Sequence, residues 1–91
     1  MTKKDLVDRI SLQVGITKVE TEATLDEFFK QVGSALYAGE HIEIRGFGTF
    51  KTKEQKARKG RNPRTGESVP IPAHIKPVFK FSRQIKKMLN P

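Results

Sequence analysis

Apolar residues in the first part of the chain recur every three to four positions, the spacing of one face of an α-helix. This pattern predicts a first helix over about residues 3–14, between a start signal at Thr2 and a stop at Gly15. It also predicts a longer second helix from Thr17 to Gly39. The apolar positions are Leu6, Val7, Ile10 and Val14 in the first helix and Val19, Ala23, Phe28, Phe29, Val32, Ala35 and Leu36 in the second.

The spacing of apolar residues changes to two after His41. Ile42 and Ile44 alternate with charged residues, Gly46-Phe47-Gly48 is a turn signal, and residues 49–53 resume the extended pattern. Alternation of this kind places apolar side chains on one side of a strand. The region therefore predicts a β-hairpin with one apolar face.

The next segment is basic and loses the alternation. Residues 54–66 hold few apolar side chains, whereas residues 69–72 and 78–81 are again extended in pattern. The basic segment thus lies between two strands, which predicts a long β-ribbon arm with its tip near residues 61–64. Because a proline has no amide hydrogen to donate, the three prolines between positions 70 and 77 predict that the returning strand lies on an edge or outside the body of the sheet.

Ser82 predicts the start of a short last helix, in which Ile85 and Leu89 face inward and which Asn90-Pro91 ends. The element order is α, α, β, β, arm, β, α, with three strands in one antiparallel sheet, which defines an α+β fold. Ninety-one residues fit a single domain. Its expected parts are a helical dimerisation part over about residues 1–40, the sheet and the arm over about 41–81, and the C-terminal helix over about 82–90.

Charge is distributed unevenly between the two halves. The chain has 18 Lys and Arg against 10 Asp and Glu, for a net charge of +8. Residues 1–50 carry six cations and eight anions, whereas residues 51–91 carry twelve cations and two anions. A strongly basic surface favours a polyanionic partner. The second half is therefore the expected binding region, and nucleic acid is the leading candidate.

Several other functions are disfavoured. There is no cysteine, and His41 and His74 lie far apart, so neither a metal site nor a cofactor is predicted. No window is apolar enough for a signal segment or a membrane span, so we expect a soluble, cytoplasmic protein. No nucleophile has a local base motif and no glycine-rich phosphate loop follows a strand, which argues against an enzyme. An RNA-binding module remains open, because charge alone does not distinguish RNA from DNA.

Two motifs resemble the signature of the bacterial HU and integration host factor family. They are Gly46-Phe47-Gly48-Thr49-Phe50 and, further along, Arg58-Lys59-Gly60-Arg61-Asn62-Pro63-Arg64-Thr65-Gly66. The resemblance covers essentially the whole chain. It implies an intertwined dimer that clasps double-stranded DNA between two β-arms, bends it from the minor groove and compacts it in the nucleoid. A homodimer is expected, with a heterodimer with a paralogue as the alternative.

The resemblance also points to DNA-binding residues. Pro63 is a candidate wedge that enters between base pairs, although an ordinary turn proline has the same sequence context. Arg58, Arg61 and Arg64 flank it and are candidates for the minor groove. The other candidates would hold the arm and the flanks of the bent duplex. The full candidate set is Lys3, Arg45, Gly46, Lys53, Arg58, Arg61, Asn62, Pro63, Arg64, Thr65, Lys80, Arg83 and Lys86.

Three features depart from the usual pattern of the family. Many relatives have Pro-Gly where this chain has Phe81-Ser82, and arginine is frequent where this chain has Gln55. The run Ile42 to Gly48 resembles the sequence-selective β subunit of integration host factor, in which Arg45 would reach DNA beside the arm. Alternation with buried isoleucines explains the same run as a half-exposed strand. A sequence-selective subunit of that type therefore stays open as an alternative.

Overall fold

The computed structural model describes all of residues 1–91, which form two compact units, residues 1–35 and residues 36–91. The elements are, in chain order, α1 (Lys3–Val14), α2 (Lys18–Tyr37), β1 (Ile42–Ile44), β2 (Gly48–Gln55), β3 (Arg58–Arg61), β4 (Ser68–Ile71), β5 (His74–Phe81) and α3 (Arg83–Leu89). The predicted α+β fold and its element order are confirmed, and the arm has two short strands of its own.

The ends of α1 are set by local hydrogen bonds. Thr2 Oγ1 accepts from the Asp5 amide (3.4 Å), and Asp5 Oδ2 accepts from the Thr2 amide (2.8 Å), so amides at the helix start are satisfied reciprocally. Gly15 follows with φ 80°, in the left-handed region that ends a helix. The predicted bounds of this helix are confirmed. The start of α2 is marked in a similar way by Thr17, whose Oγ1 accepts from the Glu20 amide (3.1 Å).

The two long helices bury little apolar surface in a single copy of the chain. Val7 is the one buried hydrophobic side chain, and Ser11 and Thr21 are the buried polar ones. Both hydroxyls are satisfied locally, because they donate to the carbonyls of Asp8 in α1 (3.0 Å) and of Thr17, just before α2 (2.9 Å). The apolar side chains that these helices leave exposed are Leu6, Leu12, Val14, Val19, Phe28, Phe29 and Tyr37.

β1, β2 and β5 form an antiparallel sheet with β2 in the middle. Phe50 of β2 lies opposite Ile42 of β1 and Phe79 of β5. Phe79 packs against the rings of Phe47, Phe50 and Phe81, and Phe47 also contacts Phe81. The centroids of the contacting rings lie 4.6–6.2 Å apart. These phenylalanines therefore hold the sheet together.

The predicted hairpin turn joins β1 to β2. The Phe47 amide donates back to β1 (2.9 Å), and Gly46 has φ 83°, which glycine adopts without strain. Gly48 is required for a different reason. A Cβ at Gly48 would lie 2.5 Å from the carbonyl oxygen of Lys80 and 2.5 Å from a ring carbon of Phe79. Any side chain at position 48 would therefore clash with β5, and glycine avoids this clash.

The arm continues the sheet without a change of register. β3 pairs antiparallel with β4, and Arg58 lies opposite Ile71 in the same register as the β2–β5 pairing. The ladder lapses only at residues 56–57 and 72–73, where Pro72 has no amide to donate. The prolines of the returning strand lie on or beside strands that have a single neighbour, as predicted. The predicted ribbon arm is confirmed.

Two strand boundaries differ from the prediction. The strand pattern of the sequence ends at residue 53, but β2 runs to Gln55 and β3 begins at Arg58. β5 begins at His74, four residues before Val78, the first residue of the predicted strand. An apolar alternation cannot mark these residues, because the ribbon is exposed on both sides. Pairing with the opposite strand sets their conformation instead.

Ser82 caps the start of α3, as predicted, but only one of the two residues expected to face inward is even partly buried. Ser82 Oγ accepts from the Ile85 amide (3.3 Å), and the Ser82 amide donates to the Phe47 carbonyl (2.8 Å), so the helix start is fixed against the hairpin turn. Ile85 is half-buried, whereas Leu89 is 76% exposed. The prediction for Leu89 is wrong, because the last turn of α3 is not packed in a single copy.

Candidate nucleic-acid interface

The constant register of the arm sorts its side chains onto two faces. Successive residues of a strand point to opposite sides, and cross-strand partners share a side. One side, here called the basic face, carries Lys51, Lys53, Lys59, Arg61, His74, Lys76 and Lys80. The other side, here called the apolar face, carries Val69, Ile71, Ile75 and Pro77 together with Glu54 and Arg58. The arm is therefore cationic along one side, and two of the predicted contacts, Arg58 and Arg61, lie on opposite sides.

The cations of the basic face have no acidic partner within the chain. The two ion pairs of the structure, Lys3 with Asp26 and Lys18 with Asp8, both lie within residues 1–35. Like charges along one side of a ribbon repel one another, and a polyanion relieves that repulsion. The positive charge of the basic face is therefore not neutralised within the chain, and this favours binding of an anionic partner.

The tip of the arm, between β3 and β4, is a turn held by side chains as well as by backbone. The Asn62 amide donates to the Glu67 carbonyl (2.8 Å), and the Gly66 amide donates to the Asn62 carbonyl (2.7 Å). Asn62 Oδ1 accepts from the Arg64 amide (2.9 Å), and Thr65 Oγ1 accepts from the Glu67 amide (3.3 Å). Asn62 and Thr65, both predicted DNA contacts, therefore also build the turn.

Pro63 lies within this turn with its ring exposed. None of the hydrogen bonds of the turn uses an amide at position 63. A proline is therefore tolerated there, and its fixed φ stiffens the tip. The two interpretations of Pro63 are compatible, because the turn that accepts the proline also presents its ring to the outside.

At Lys80 the basic face reaches the hairpin turn between β1 and β2. Glu43, Thr49 and Lys80 are successive cross-strand partners on the side of the basic face. Arg45 and Gly46 line the same shallow hollow. The structure thus brings together three of the predicted contacts, Arg45, Gly46 and Lys80, beside a carboxylate. Of the remaining candidates in this unit, Arg83 and Lys86 of α3 are exposed.

Lys3 belongs to the other unit and already has a partner. Its Nζ donates to Asp26 Oδ1 at 2.8 Å. This hydrogen bond, together with the charge of Asp26, raises the pKa of Lys3 above its ordinary value. Lys3 is therefore firmly cationic at neutral pH, but a phosphate has to compete with Asp26 for it.

The basic face includes residues that the sequence did not single out, namely Lys51, Lys59, His74 and Lys76. They were missed because no apolar pattern fixes the register of an exposed ribbon. A signal was nevertheless present in the chain. In an antiparallel ribbon, two residues that are equally far from the centre of the tip lie opposite each other. Counting outward from the tip residues places all four on the side of Lys53 and Lys80.

The sequence matches proteins of known family. A family model described as bacterial DNA-binding protein matches residues 1–90. The chain is 39% identical over 90 residues to DNA-binding protein HU-1 of Halalkalibacterium halodurans, which covers 99% of this chain and 100% of that relative. It is 40% identical over 86 residues to DNA-binding protein HU of Staphylococcus aureus (strain COL), covering 94% of this chain and 96% of the relative. The chain therefore belongs to the family of bacterial DNA-binding proteins.

Solved structures agree with this assignment. A chain of the Anabaena HU–DNA cocrystal structure matches with a TM-score of 0.93 at 34% identity, over 100% of this chain and 99% of that chain. HU from Thermotoga maritima matches with a TM-score of 0.70 at 26% identity, over 99% and 100%. Within its family this chain is thus an architectural DNA-binding protein of the HU type. The predicted resemblance is confirmed, and the alternative of an integration host factor subunit is not favoured.

Proposed function

We propose that two copies of this chain form a dimer whose arms enter the minor groove of duplex DNA and bend it. The observation that carries the proposal is the basic face, which runs from Lys80 near the hairpin turn to Arg61 and leads to the exposed Pro63. A row of unpaired cations can follow a phosphate backbone. A stiff apolar ring inserted into a base step kinks the duplex by roughly 20–90°.

The dimer is supported by the small core of a single copy. With Val7 as the one buried hydrophobic side chain, and with Phe28, Phe29 and Tyr37 exposed, a lone chain lacks the apolar burial that a stable fold needs. A two-fold dimer would cover these side chains and would set two arms on one body. We assign dimerisation to about residues 1–40, with a homodimer as the expected form and a heterodimer with a paralogue as the alternative.

Each part of the surface has its own role in the proposal. Pro63 is the intercalating residue, with Asn62 and Thr65 shaping the tip around it. Arg61 and Arg64 reach into the minor groove beside it. Arg58, on the apolar face, would reach the opposite wall of the groove, and Lys53 would hold the base of the arm. The proposed flank contacts to phosphates are Lys3, Arg45, Gly46, Lys80, Arg83 and Lys86.

The comparisons support DNA as the partner. The Anabaena HU chain was crystallised with DNA, and its fold matches this chain over its whole length. A protein that binds and bends DNA in this way would associate with the nucleoid in the cytoplasm and compact it. No catalytic role and no cofactor form part of the proposal. No helix of the structure is both long and apolar enough to cross a membrane.

Duplex bending is the direct test of this function. Fluorescence transfer between the two ends of a DNA duplex of about 30 base pairs should rise as the protein saturates it, because bending of this order brings the ends together. A nicked or pre-bent duplex should bind more tightly than a linear one, since part of the bending cost is already met. An RNA duplex has a wide, shallow minor groove and should bind less tightly. Binding that leaves linear DNA straight at saturation would contradict the proposal.

Replacement of Lys80 by alanine should weaken the salt dependence of DNA binding. Each phosphate contact releases counterions, so losing it lowers the slope of log affinity against log salt by about one unit for each subunit. The measurement is a salt titration of DNA affinity. Lys30→Ala in α2, which removes a lysine outside the proposed contacts, is the control and should leave the slope unchanged. Equal slopes for Lys80→Ala and the parent would exclude Lys80 from the phosphate contacts.

A further inference from the structure

His74 is the one titratable imidazole on the basic face. It begins β5 and lies opposite Gln55, and the next cross-strand pair on the same side of the ribbon is Lys53 with Lys76. The His74 side chain is exposed. A ligand that contacts Lys53 and Lys76 along this side of the ribbon would therefore also contact His74.

The hydrogen bond of the ring fixes which nitrogen is free. His74 Nδ1 lies 3.1 Å from the carbonyl oxygen of Pro72. A carbonyl oxygen can only accept, so Nδ1 carries the hydrogen and donates it. In the neutral ring Nε2 then carries no hydrogen, so it cannot donate a hydrogen bond to a phosphate oxygen. Protonation at Nε2 turns the same atom into a charged donor.

The groups around His74 within the protein do not supply an anion to hold that charge. Lys53 and Lys76 share its side of the ribbon. Glu54 and Lys56 line the adjoining shallow hollow, together with uncharged residues, and Glu54 belongs to the apolar face. No ion pair involves His74. An imidazolium at this position would therefore gain its counter-charge from outside the chain.

We propose that His74 is a proton-dependent DNA contact, so that duplex binding takes up one proton from solvent at Nε2 of each engaged arm. This inference rests on the proposed function, because it requires the basic face to meet phosphates. The direction follows from the charges: DNA binds the protonated ring more tightly than the neutral one, and the protonated ring prevails at lower pH. Affinity for DNA therefore rises as the pH falls through the range in which histidine changes charge.

The test compares DNA affinity at about pH 8 and about pH 5.5, the range in which histidine is the ordinary titrating side chain, at constant ionic strength. The parent should bind a duplex more tightly at the lower pH, by about tenfold for each engaged arm, because each arm gains one hydrogen bond to a charged group. Its salt dependence should also steepen by about one unit for each engaged arm. His74→Gln should abolish both changes, and His74→Lys should bind tightly at both pH values.

The chain offers a matched control in its other histidine. His41 precedes β1, outside the arm and the basic face, so His41→Gln should retain the full pH dependence of the parent. Circular dichroism at both pH values checks that each variant is folded. A pH dependence that persists in His74→Gln, or a parent that binds and bends DNA but has the same affinity at both pH values, would overturn the inference and leave the proposed function standing. A parent that fails to bind DNA at either pH would instead overturn the proposed function, and this inference with it.

Discussion

DNA bound by a Pro63→Ala variant is expected to be straighter than DNA bound by the parent by several tens of degrees, because each of the two arms loses the wedge that produces a kink. The physical reason is local. The ring of Pro63 is exposed at the tip, and the hydrogen bonds of the turn come from Asn62, Arg64, Gly66 and Glu67, so the substitution removes the wedge without removing the turn. The affinity for DNA should stay close to that of the parent although the bend angle falls, because the cations of the basic face remain. Fluorescence transfer between duplex ends at saturating protein measures the bend, and a titration measures the affinity.

A control separates intercalation from a general effect of losing a proline. Pro77 lies in the same arm but on the apolar face, opposite Thr52, so Pro77→Ala should leave the bend angle close to that of the parent. A duplex nicked at the kink should restore most of the bend to Pro63→Ala, since the stacking that the ring must break is already weakened. Identical bend angles for Pro63→Ala and the parent on intact DNA would show that Pro63 does not act as a wedge.

The helices of this protein could be predicted from the sequence because their signals are local. Thr2 with Asp5 at one end of α1 and Gly15 at the other act within a few residues, and the structure places each at the expected end. The family motif was equally local, because the residues that mark the tip of the arm are contiguous in the chain. Short-range chemistry therefore determined where elements begin and turn.

The distribution of charge between the two faces of the arm could not be predicted in the same way. Whether a residue shares a side with Lys80 depends on its partner across the ribbon, and in an exposed ribbon no apolar pattern reports that partner. Arg58 and Arg61 were therefore grouped together although they lie on opposite sides, and His74 and Lys76 were not singled out. The candidate site therefore stays a prediction, to which the structure adds the cations that share one side of the ribbon with Lys80.

Replacement of Gly48 by alanine should be the most damaging small substitution in the sheet. The added Cβ would lie 2.5 Å from the Lys80 carbonyl oxygen and 2.5 Å from the Phe79 ring. A backbone oxygen cannot rotate away as the end of a side chain can, so β5 must move from β2. We expect a loss of about 3 kcal/mol in the free energy of unfolding, at the upper end of overpacking costs. Urea denaturation at a fixed protein concentration measures it, since the stability of a dimer depends on concentration.

Gly15→Ala distinguishes this steric effect from backbone strain. Gly15 has φ 80° with nothing near its missing Cβ, so alanine there should cost only about 1 kcal/mol. If Gly48→Ala were no more destabilising than Gly15→Ala, the absence of a Cβ at position 48 would not be needed for stability. The expected difference has a functional consequence, because Lys80 and the start of the basic face lie on the strand that must move. Gly48→Ala should therefore weaken DNA binding even at temperatures where the variant remains folded, whereas Gly15→Ala should not.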